Sequence, residues 1–316
     1  MSRRIACVFD IDGILLHGKK PLPFAQALLA QLRKRVPHVL LTNGGGKTEK
    51  NKAEELSTLL KIPIPPTHII QAHTPLTLLP SKKEPYLVVG KNYPQLKDIL
   101  RGYGFHHLLT CDEIHQNYPE IYPDFVTTNQ PFLPRCRSFP YMAGILCMTD
   151  PLYWGRELQI VSDFLHHPNL EEFSSESIPF HNCCIDINYM SSYPTPRWGS
   201  GSFRMTLEHL YQHQTGHVLT QTLYGKPYSV SFQYAQQQLY HLFPEKEYES
   251  IYMIGDNPHT DIQGANNMGH PWKSVLIGTG VFPLQEIDSL FPEQTPHYYF
   301  PDLVSFWEWL HPQLNH

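Results

Sequence analysis

Residues 5–13 read IACVFDIDG, and this stretch decides the fold. Five apolar residues in succession, without polar alternation, predict a strand that is buried on both faces of a parallel sheet. Asp10 and Asp12 follow this strand directly, and Gly13 permits a tight turn that brings the backbone close to a ligand. In open α/β sheets, ligands bind beyond the carboxyl ends of the strands. The stretch therefore predicts a central strand with a candidate site at its end.

Strands and helices alternate in two separate blocks of the chain. The predicted elements of the first block are the strand 5–9, the helix 23–35, the strand 39–41 and the helix 48–61. Those of the second block are the helix 229–243, the strand 250–254, the helix 261–268 and the strand 274–277. This alternation is typical of an α/β fold, and we predict a Rossmann-like core with a parallel sheet.

A second α/β unit is predicted between the two blocks. Its elements include the strand 86–90, the helix 96–101, the strand 143–148 and the helix 158–165. The stretch 80–85 begins and ends with proline and is suited to a hinge at the start of this unit. We therefore expect a discontinuous core of residues 1–81 and 221–316, with residues 82–220 forming an inserted domain.

The composition argues against several classes of protein. The chain has 316 residues, of which 41% are hydrophobic and 17% charged, and its formal net charge is -5. Without a dense Lys/Arg cluster, nucleic acid is not expected as a partner, because phosphate neutralisation needs a concentrated basic surface. No window holds the roughly 18 apolar residues of a membrane span. A strand begins where a targeting segment would stand, so a cytoplasmic location is expected unless a presequence is missing from this sequence.

The spacing of cysteine and histidine gives little support to a structural metal or a disulfide framework. The six cysteines show no paired C-x-x-C spacing, so we expect reduced thiols. His209, His213 and His217 recur at intervals of four, which would align them on one helix face and offers an alternative metal site. Gly216 is expected to end that helix before His217, which favours a polar helix face instead.

The acid pair Asp10 and Asp12 suits phosphate chemistry. Two carboxylates at positions i and i+2 past a strand end can face one crevice once the chain leaves the pleat. One can then attack phosphorus as a nucleophile while the other transfers a proton. The alternative is an aspartate turn that caps the next helix, and the pair alone does not decide between the two.

Two further clusters suit phosphate binding. Thr42, Asn43 and Gly44 follow the second predicted strand, where a hydroxyl group and free backbone N–H groups can hold phosphate oxygens. Lys226 lies between a glycine and a proline and offers an ammonium group that can neutralise phosphate and carboxylate charge. A glycine-rich turn without a ligand and an exposed lysine are the alternatives.

A second group of acids follows the predicted strand 250–254. Residues 255–261 read GDNPHTD, which places Asp256 and Asp261 five positions apart. Carboxylate oxygens are hard ligands, and Mg²⁺ is usually held by one or two carboxylates together with substrate phosphate and water. Together with the first acid pair, these residues predict a Mg²⁺ site.

The order of these clusters resembles the four motifs of the haloacid dehalogenase superfamily of phosphohydrolases. The long insertion between the second and third motifs is similar to the subclass with a large α/β cap of the C2 type, subclass IIA. Three stretches are most similar to the cat-eye-syndrome-critical-region hydrolase group: residues 41–46 (LTNGGG), 149–159 (TDPLYWGRELQ) and 196–203 (PRWGSGSF). The resemblance extends from Ile5 to about Pro283.

The resemblance implies catalytic and phosphate-binding roles for the matched residues. Asp10 would be the nucleophile and Asp12 the general acid and base. The phosphate would be held by Thr42 and Lys226, with Asn43 and Gly44 of the second motif beside them.

The resemblance also implies a metal site and a substrate-selecting cap. Mg²⁺ would be held by Asp10, the carbonyl group of Asp12 and Asp256. Asn257 and Asp261 would hold these ligands in position without binding the metal themselves. Where relatives tend to have Asn-Pro-Asp near the substrate, residues 184–186 of this chain read CID. We expect Asp186 and Arg197 in the cap to take part in substrate selection.

The function implied is a Mg²⁺-dependent phosphatase that hydrolyses a small phosphomonoester through an aspartyl-phosphate intermediate. One alternative is phosphoryl transfer to a second substrate at the same site. The other is a binding or scaffold protein with little turnover, which intact acidic motifs disfavour. The resemblance further implies a link to glycerophospholipid metabolism and to mitochondria, whereas the sequence leaves the oligomeric state open.

Overall fold

A computed structural model describes residues 4–33, 35–122, 141–166, 178–189, 192–244 and 247–314. The strands are β1 (Ile5–Phe9), β2 (Leu16–His17), β3 (Lys20–Pro21), β4 (His38–Leu41), β5 (Ile69–Ile70), β6 (Tyr86–Val89), β7 (Leu108–Thr110), β8 (Gly144–Cys147), β9 (Phe180–Asn182), β10 (Asn188–Tyr189), β11 (Arg197–Trp198), β12 (Gln221–Leu223), β13 (Ser250–Gly255), β14 (Trp272–Ile277) and β15 (Tyr298–Phe300). The α-helices are α1 (Ala25–Leu32), α2 (Glu49–Leu60), α3 (Tyr93–Gly102), α4 (Cys111–Asn117), α5 (Trp154–His166), α6 (Ser200–Thr215), α7 (Ser229–Leu242), α8 (Gln263–Met268) and α9 (Leu303–Leu310).

The chain forms two compact units, and the first contains a six-stranded parallel sheet. Its strand order is β15-β14-β13-β1-β4-β5. In the register of this sheet, Ile5 of β1 pairs with Ser250 of β13, and Cys7 pairs with His38 of β4. All five residues of β1 are buried. The prediction of a buried parallel strand within a Rossmann-like α/β core is therefore confirmed.

Helices cover both faces of this sheet, which explains why β1 has no polar alternation. Phe9 packs on one face in a cluster with Leu28 of α1 and Phe306 of α9. Val8 packs on the other face in a cluster with Phe232 of α7. Because successive side chains of a strand point to opposite faces, a strand covered on both sides needs apolar residues at every position.

The second unit has a parallel sheet of its own, with the strand order β12-β9-β8-β6-β7. Ile145, Ile160 and Phe203 belong to its apolar core. The first unit comprises residues 1–44, 48–75 and 225–316, and the second comprises residues 45–47 and 76–224. Since β12 pairs with β9, the second unit continues beyond residue 220, where the predicted insert ends. The insert as a cap domain stays a proposal.

The segment after β13 differs from the predicted helix 261–268. A π-helical turn covers Pro258–Ile262, and α8 begins only after it. The carbonyl group of Asn257 accepts hydrogen bonds from the backbone N–H groups of Asp261 and Ile262, at 3.0 and 3.4 Å, which closes this wide turn. Such turns are often found at functional sites.

The structure also describes the cysteines, the end of the helix that carries His209 and His213, and the length and hydropathy of the helices. The five cysteines within the described residues are free thiols, and Cys136 lies outside those residues. Helix α6 ends at Thr215 and is followed by Gly216 at a φ of 75°, so His217 lies beyond the helix, as predicted. Within the described part of the chain, no helix has both the length and the apolar character needed to cross a membrane.

Candidate active site

The candidate site is formed where neighbouring strands of the first sheet end. Asp10 follows β1, Thr42 follows β4 and Asp256 follows β13, and these three strands lie side by side. All three side chains are buried. Because parallel strands share the direction of the chain, their carboxyl ends meet at one edge of the sheet. The sheet topology therefore brings together residues that are far apart in the sequence.

Three buried carboxylates converge at this edge. Asp10, Asp256 and Asp261 each offer one oxygen atom, and these atoms lie within 4.8 Å of one another. The pKa of Asp10 rises to about 8 and that of Asp256 to about 6, mainly because of burial and in part because of the Asp261 charge. Such a concentration of buried negative charge favours a cation, and hard carboxylate oxygens fit Mg²⁺.

Lys226 supplies a positive charge to this cluster. Its ammonium nitrogen lies 2.5 Å from Asp10 Oδ1 and 2.7 Å from Asp261 Oδ1, and it donates a hydrogen bond to the carbonyl group of Leu41 at 3.1 Å. Burial by itself would lower the pKa of this lysine, but the charges of Asp10 and Asp261 raise it above its usual value. Lys226 is thus a buried, ionised residue, and the alternative of an exposed surface lysine is excluded.

The backbone of Lys226 is held by a residue from the second motif. Asn43 Oδ1 accepts a hydrogen bond from the Lys226 N–H group at 2.6 Å, and Asn43 Nδ2 donates to the Lys226 carbonyl group at 2.9 Å. The preceding residue, Gly225, donates its N–H group to Ser231 Oγ at 2.8 Å. The side-chain amide of Asn43 therefore positions the lysine, together with Ser231, which the sequence analysis missed.

Thr42 and Gly44 form the turn that follows β4. The hydroxyl group of Thr42 accepts a hydrogen bond from the Gly44 N–H group at 3.0 Å. Thr42 is buried beside the strand end, whereas Gly44 is exposed. This places a hydroxyl group and a short glycine-rich backbone segment at the same edge of the sheet as the carboxylates.

A loop after β14 also contacts residues of the candidate site, and the sequence analysis did not identify it. The Val281 N–H group donates to Asp256 Oδ2 at 2.8 Å, and Thr279 Oγ1 donates to the Gly13 carbonyl group at 2.7 Å. Gly13 has a φ of 85°, and a Cβ atom at this position would collide with the Asp256 carboxylate. Residues 278–281 read GTGV directly after a strand. A polar, glycine-containing segment directly after a strand was the signal that identified residues 42–44, and the same signal could have identified residues 278–281.

Asp261 and Asp12 differ in their surroundings. Asp261 Oδ2 accepts a hydrogen bond from the Asn257 N–H group at 3.2 Å, and Oδ1 forms an ion pair with Lys226 at 2.7 Å. The side chain of Asn257 in turn accepts from the N–H group of His259. Asp12 has an exposed side chain and does not belong to the group of three carboxylates.

The two cap residues predicted to select substrate lie in the second unit. Asp186 is exposed, and its carbonyl group accepts a hydrogen bond from the Gly201 N–H group at 2.9 Å. Arg197 of β11 is also exposed, and its guanidinium group lies 4.5 Å from the centre of the Tyr193 ring. Their role in selection stays a prediction.

Two family models match this chain. Residues 7–106 match the model described as haloacid dehalogenase-like hydrolase, and residues 223–306 match a HAD-hydrolase-like model. These ranges include Asp10, Lys226, Asp256 and Asp261, which together we call the carboxylate site.

Curated relatives and a solved structure extend the match. The chain is 31% identical to a mitochondrial hydrolase of Saccharomyces cerevisiae, over 89% of this chain and 89% of that protein. It is 30% identical to a fusion of cardiolipin synthase (CMP-forming) with a mitochondrial hydrolase in Schizosaccharomyces pombe, over 88% of this chain and 49% of the fusion protein. The fold is similar to glycerol phosphate phosphatase from Mycobacterium tuberculosis in complex with magnesium, with a TM-score of 0.66, 16% identity and coverage of 96% of this chain and 76% of that one. The family predicted from the motifs is thereby confirmed, and the chain belongs to the haloacid dehalogenase-like hydrolases.

Proposed function

We propose that this protein is a Mg²⁺-dependent phosphatase that hydrolyses a small phosphomonoester through a phosphorylated Asp10. The observation that carries the proposal is the contact of buried Lys226 with Asp10 and Asp261, beside the third carboxylate of Asp256. A nucleophilic carboxylate next to a fixed ammonium group and a cation site has the charges that aspartyl-phosphate chemistry requires.

The donor set fits Mg²⁺. Asp10 and Asp256 would hold the ion, and the family resemblance adds the carbonyl group of Asp12. We assign Asp261 to a supporting role by the family resemblance; its carboxylate contacts Lys226 and the Asn257 N–H group. When bound, Mg²⁺ would neutralise charge on the phosphate and help to keep Asp10 ionised.

The protein's own groups can carry out both steps of the reaction, the phosphorylation of Asp10 and the hydrolysis of the phosphorylated Asp10. A carboxylate oxygen of Asp10 attacks phosphorus, the bond to the leaving alkoxide breaks, and Asp12 gives that oxygen its proton. Asp12 then takes a proton from water, which attacks phosphorus, releases inorganic phosphate and restores the Asp10 carboxylate. Lys226 would balance the charge near the phosphate throughout, and Thr42 would hold a phosphate oxygen.

The relatives support the choice of substrate class and location. One solved structure of this fold is a glycerol phosphate phosphatase with bound magnesium, which favours a small phosphomonoester and the same metal. One relative is fused to cardiolipin synthase, which favours a link to glycerophospholipid metabolism. The yeast relative is named a mitochondrial hydrolase and the fission yeast fusion protein includes a mitochondrial hydrolase in its name, so we propose the mitochondrial location rather than the cytoplasmic one.

The test is the release of inorganic phosphate from p-nitrophenyl phosphate in the presence of Mg²⁺. Asp10→Asn keeps the shape of the side chain but cannot attack phosphorus, so turnover should fall on the order of 10⁴-fold. Normal turnover at an unchanged melting temperature would reject Asp10 as the nucleophile. A phosphorylated acceptor in place of inorganic phosphate would indicate a transferase, and no turnover across a panel of phosphomonoesters would indicate a binding protein.

The same panel tests the second unit as a cap. If Asp186 and Arg197 contact the part of the substrate away from phosphorus, Asp186→Asn and Arg197→Gln should change the ranking of substrates. The Mg²⁺ requirement should stay unchanged because the carboxylates lie in the first unit. Equal proportional losses on every substrate would contradict the assignment of these two residues.

A further inference from the structure

The first unit contains a cavity of about 240 Å³ that is separate from the carboxylate site. It lies against the beginning of β4, where His38 is the first residue of the strand, whereas Thr42 follows the opposite end. Leu29 of α1 and Leu40 of β4 contribute to its apolar wall. The cavity therefore lies towards the amino ends of the strands, away from the proposed chemistry.

Three aromatic rings line one side of this cavity. The rings of His38 and His68 meet edge to face with centres 5.3 Å apart, and those of His68 and Phe243 do so at 6.1 Å. His38 Nδ1 donates a hydrogen bond to the Val36 carbonyl group at 2.9 Å. Burial lowers the pKa of both imidazoles, that of His68 to about 4, so both are neutral near pH 7. The rings thus present an uncharged aromatic wall.

Arg33 adds one positive charge at the edge of the cavity. It is the only formally charged residue among the described residues that line the cavity, and it is exposed to solvent. Its charge contributes to the lowered pKa of both histidines, which indicates that the guanidinium group is close to them. No hydrogen bond or ion pair to Arg33 side-chain atoms occurs within the described part of the chain. Its donors are therefore available to an anion.

We propose that this cavity binds a small aromatic carboxylate, with the ring against the aromatic wall and the carboxylate on Arg33. An apolar cavity of roughly 150 Å³ accommodates benzene, so this larger one has room for a ring and a short aliphatic arm. The guanidinium group can bind a carboxylate through two parallel N–H···O hydrogen bonds. The apolar wall and the single cation together select an amphiphilic anion rather than a neutral or a fully polar ligand.

Titration calorimetry of the full chain with 3-phenylpropionate tests the site directly. We expect saturable binding with a Kd below about 1 mM. The neutral analogue 3-phenylpropan-1-ol should bind at least about tenfold more weakly, because it cannot pair with Arg33. The readout is independent of phosphatase turnover, so its failure and the failure of the proposed function are distinguishable.

Variants locate the binding and separate it from the carboxylate site. Arg33→Gln should weaken binding at least about tenfold, whereas Arg35→Gln should leave it unchanged, since Arg35 does not line the cavity and contacts His311. Ile64→Trp should fill the cavity and abolish binding while the melting temperature stays near that of the parent chain. Absence of saturable binding, or equal Kd values for Arg33→Gln and the parent, would overturn the proposal.

Discussion

The side-chain amide of Asn43 forms hydrogen bonds with both backbone polar groups of Lys226, although 183 positions separate the two residues in the sequence. This pair of contacts fixes the lysine backbone in the way that a neighbouring strand would. The ammonium group at the end of the side chain then contacts Asp10 at 2.5 Å. Asn43 therefore acts on the proposed chemistry through the position of Lys226.

Asn43→Ala should lower kcat by roughly tenfold to a hundredfold, because losing the two hydrogen bonds lets the lysine backbone move and leaves buried polar groups unpaired. The Mg²⁺ concentration for half activity should change little, since Asn43 contacts none of the three carboxylates. Steady-state kinetics across a Mg²⁺ titration measure both quantities. Ser231→Ala, which removes the support of Gly225, should give a smaller loss in the same direction. An unchanged kcat for Asn43→Ala would contradict the positioning role.

Removing the metal should abolish turnover, because buried carboxylates and substrate phosphate would otherwise meet with too little positive charge. Activity is expected to vanish in excess EDTA and to return with Mg²⁺. Asp256→Asn should raise the Mg²⁺ concentration needed for half activity. Binding can also be followed without substrate, since Mg²⁺ that binds only the folded state raises the melting temperature. Full activity after exhaustive chelation would eliminate the metal from the mechanism.

Gly13→Ala should be far more damaging than Gly18→Ala. Both glycines have positive φ values, 85° and 60°, so each alanine carries a backbone strain of about 1 kcal/mol. Only at Gly13 would the added Cβ atom also collide with the Asp256 carboxylate, whereas the space around Gly18 is open. Turnover and melting temperature are measured for both variants: Gly18→Ala shows the effect of backbone strain alone, and the additional loss in Gly13→Ala shows the effect of the collision. Equal effects in both variants would contradict the packing of Gly13 against Asp256.

Acid should destabilise the second unit through His181. This histidine is buried, its Nδ1 atom lies 2.9 Å from the Tyr224 hydroxyl group, and burial lowers its pKa to about 4. An unfolded histidine has a pKa of about 6.5, so between these values the unfolded chain binds a proton that the folded chain does not. Stability is therefore expected to fall as the pH drops from about 6.5 towards 4, by about 2 kcal/mol at pH 5.

His181→Gln should remove that part of the acid sensitivity. Denaturant unfolding at pH 7.5 and pH 5 gives the loss of stability for each variant. The loss should be smaller in His181→Gln than in the parent, while His209→Gln, which changes an exposed histidine of α6, should match the parent. An equal loss of stability between pH 7.5 and pH 5 in His181→Gln and His209→Gln would show that His181 is not the titrating group.

The sequence alone predicted the core fold because its signal is local. The uninterrupted apolar run of β1 requires cover on both faces, and each strand that ends in polar residues marks the carboxyl edge of a parallel sheet. Asp10, Thr42 and Asp256 could therefore be assigned to one edge from the pattern of residues. The order of the motifs likewise indicated the family, since four clusters in a set order are more specific than any one of them.

Only the tertiary structure decided which atoms meet at that edge. Lys226 could have been an exposed lysine, and its contact with Asp10 and Asp261 depends on Asn43 holding its backbone across the fold. The role of the loop after β14 and the π-helical turn that orients Asp261 were likewise not apparent from residue spacing. Local pattern determines whether a segment is a strand or a helix, whereas the distance between two charges depends on packing between segments remote in the chain. That distance, set by burial and hydrogen bonds across the sheet edge, is what separates a cluster of acids from a site with defined chemistry.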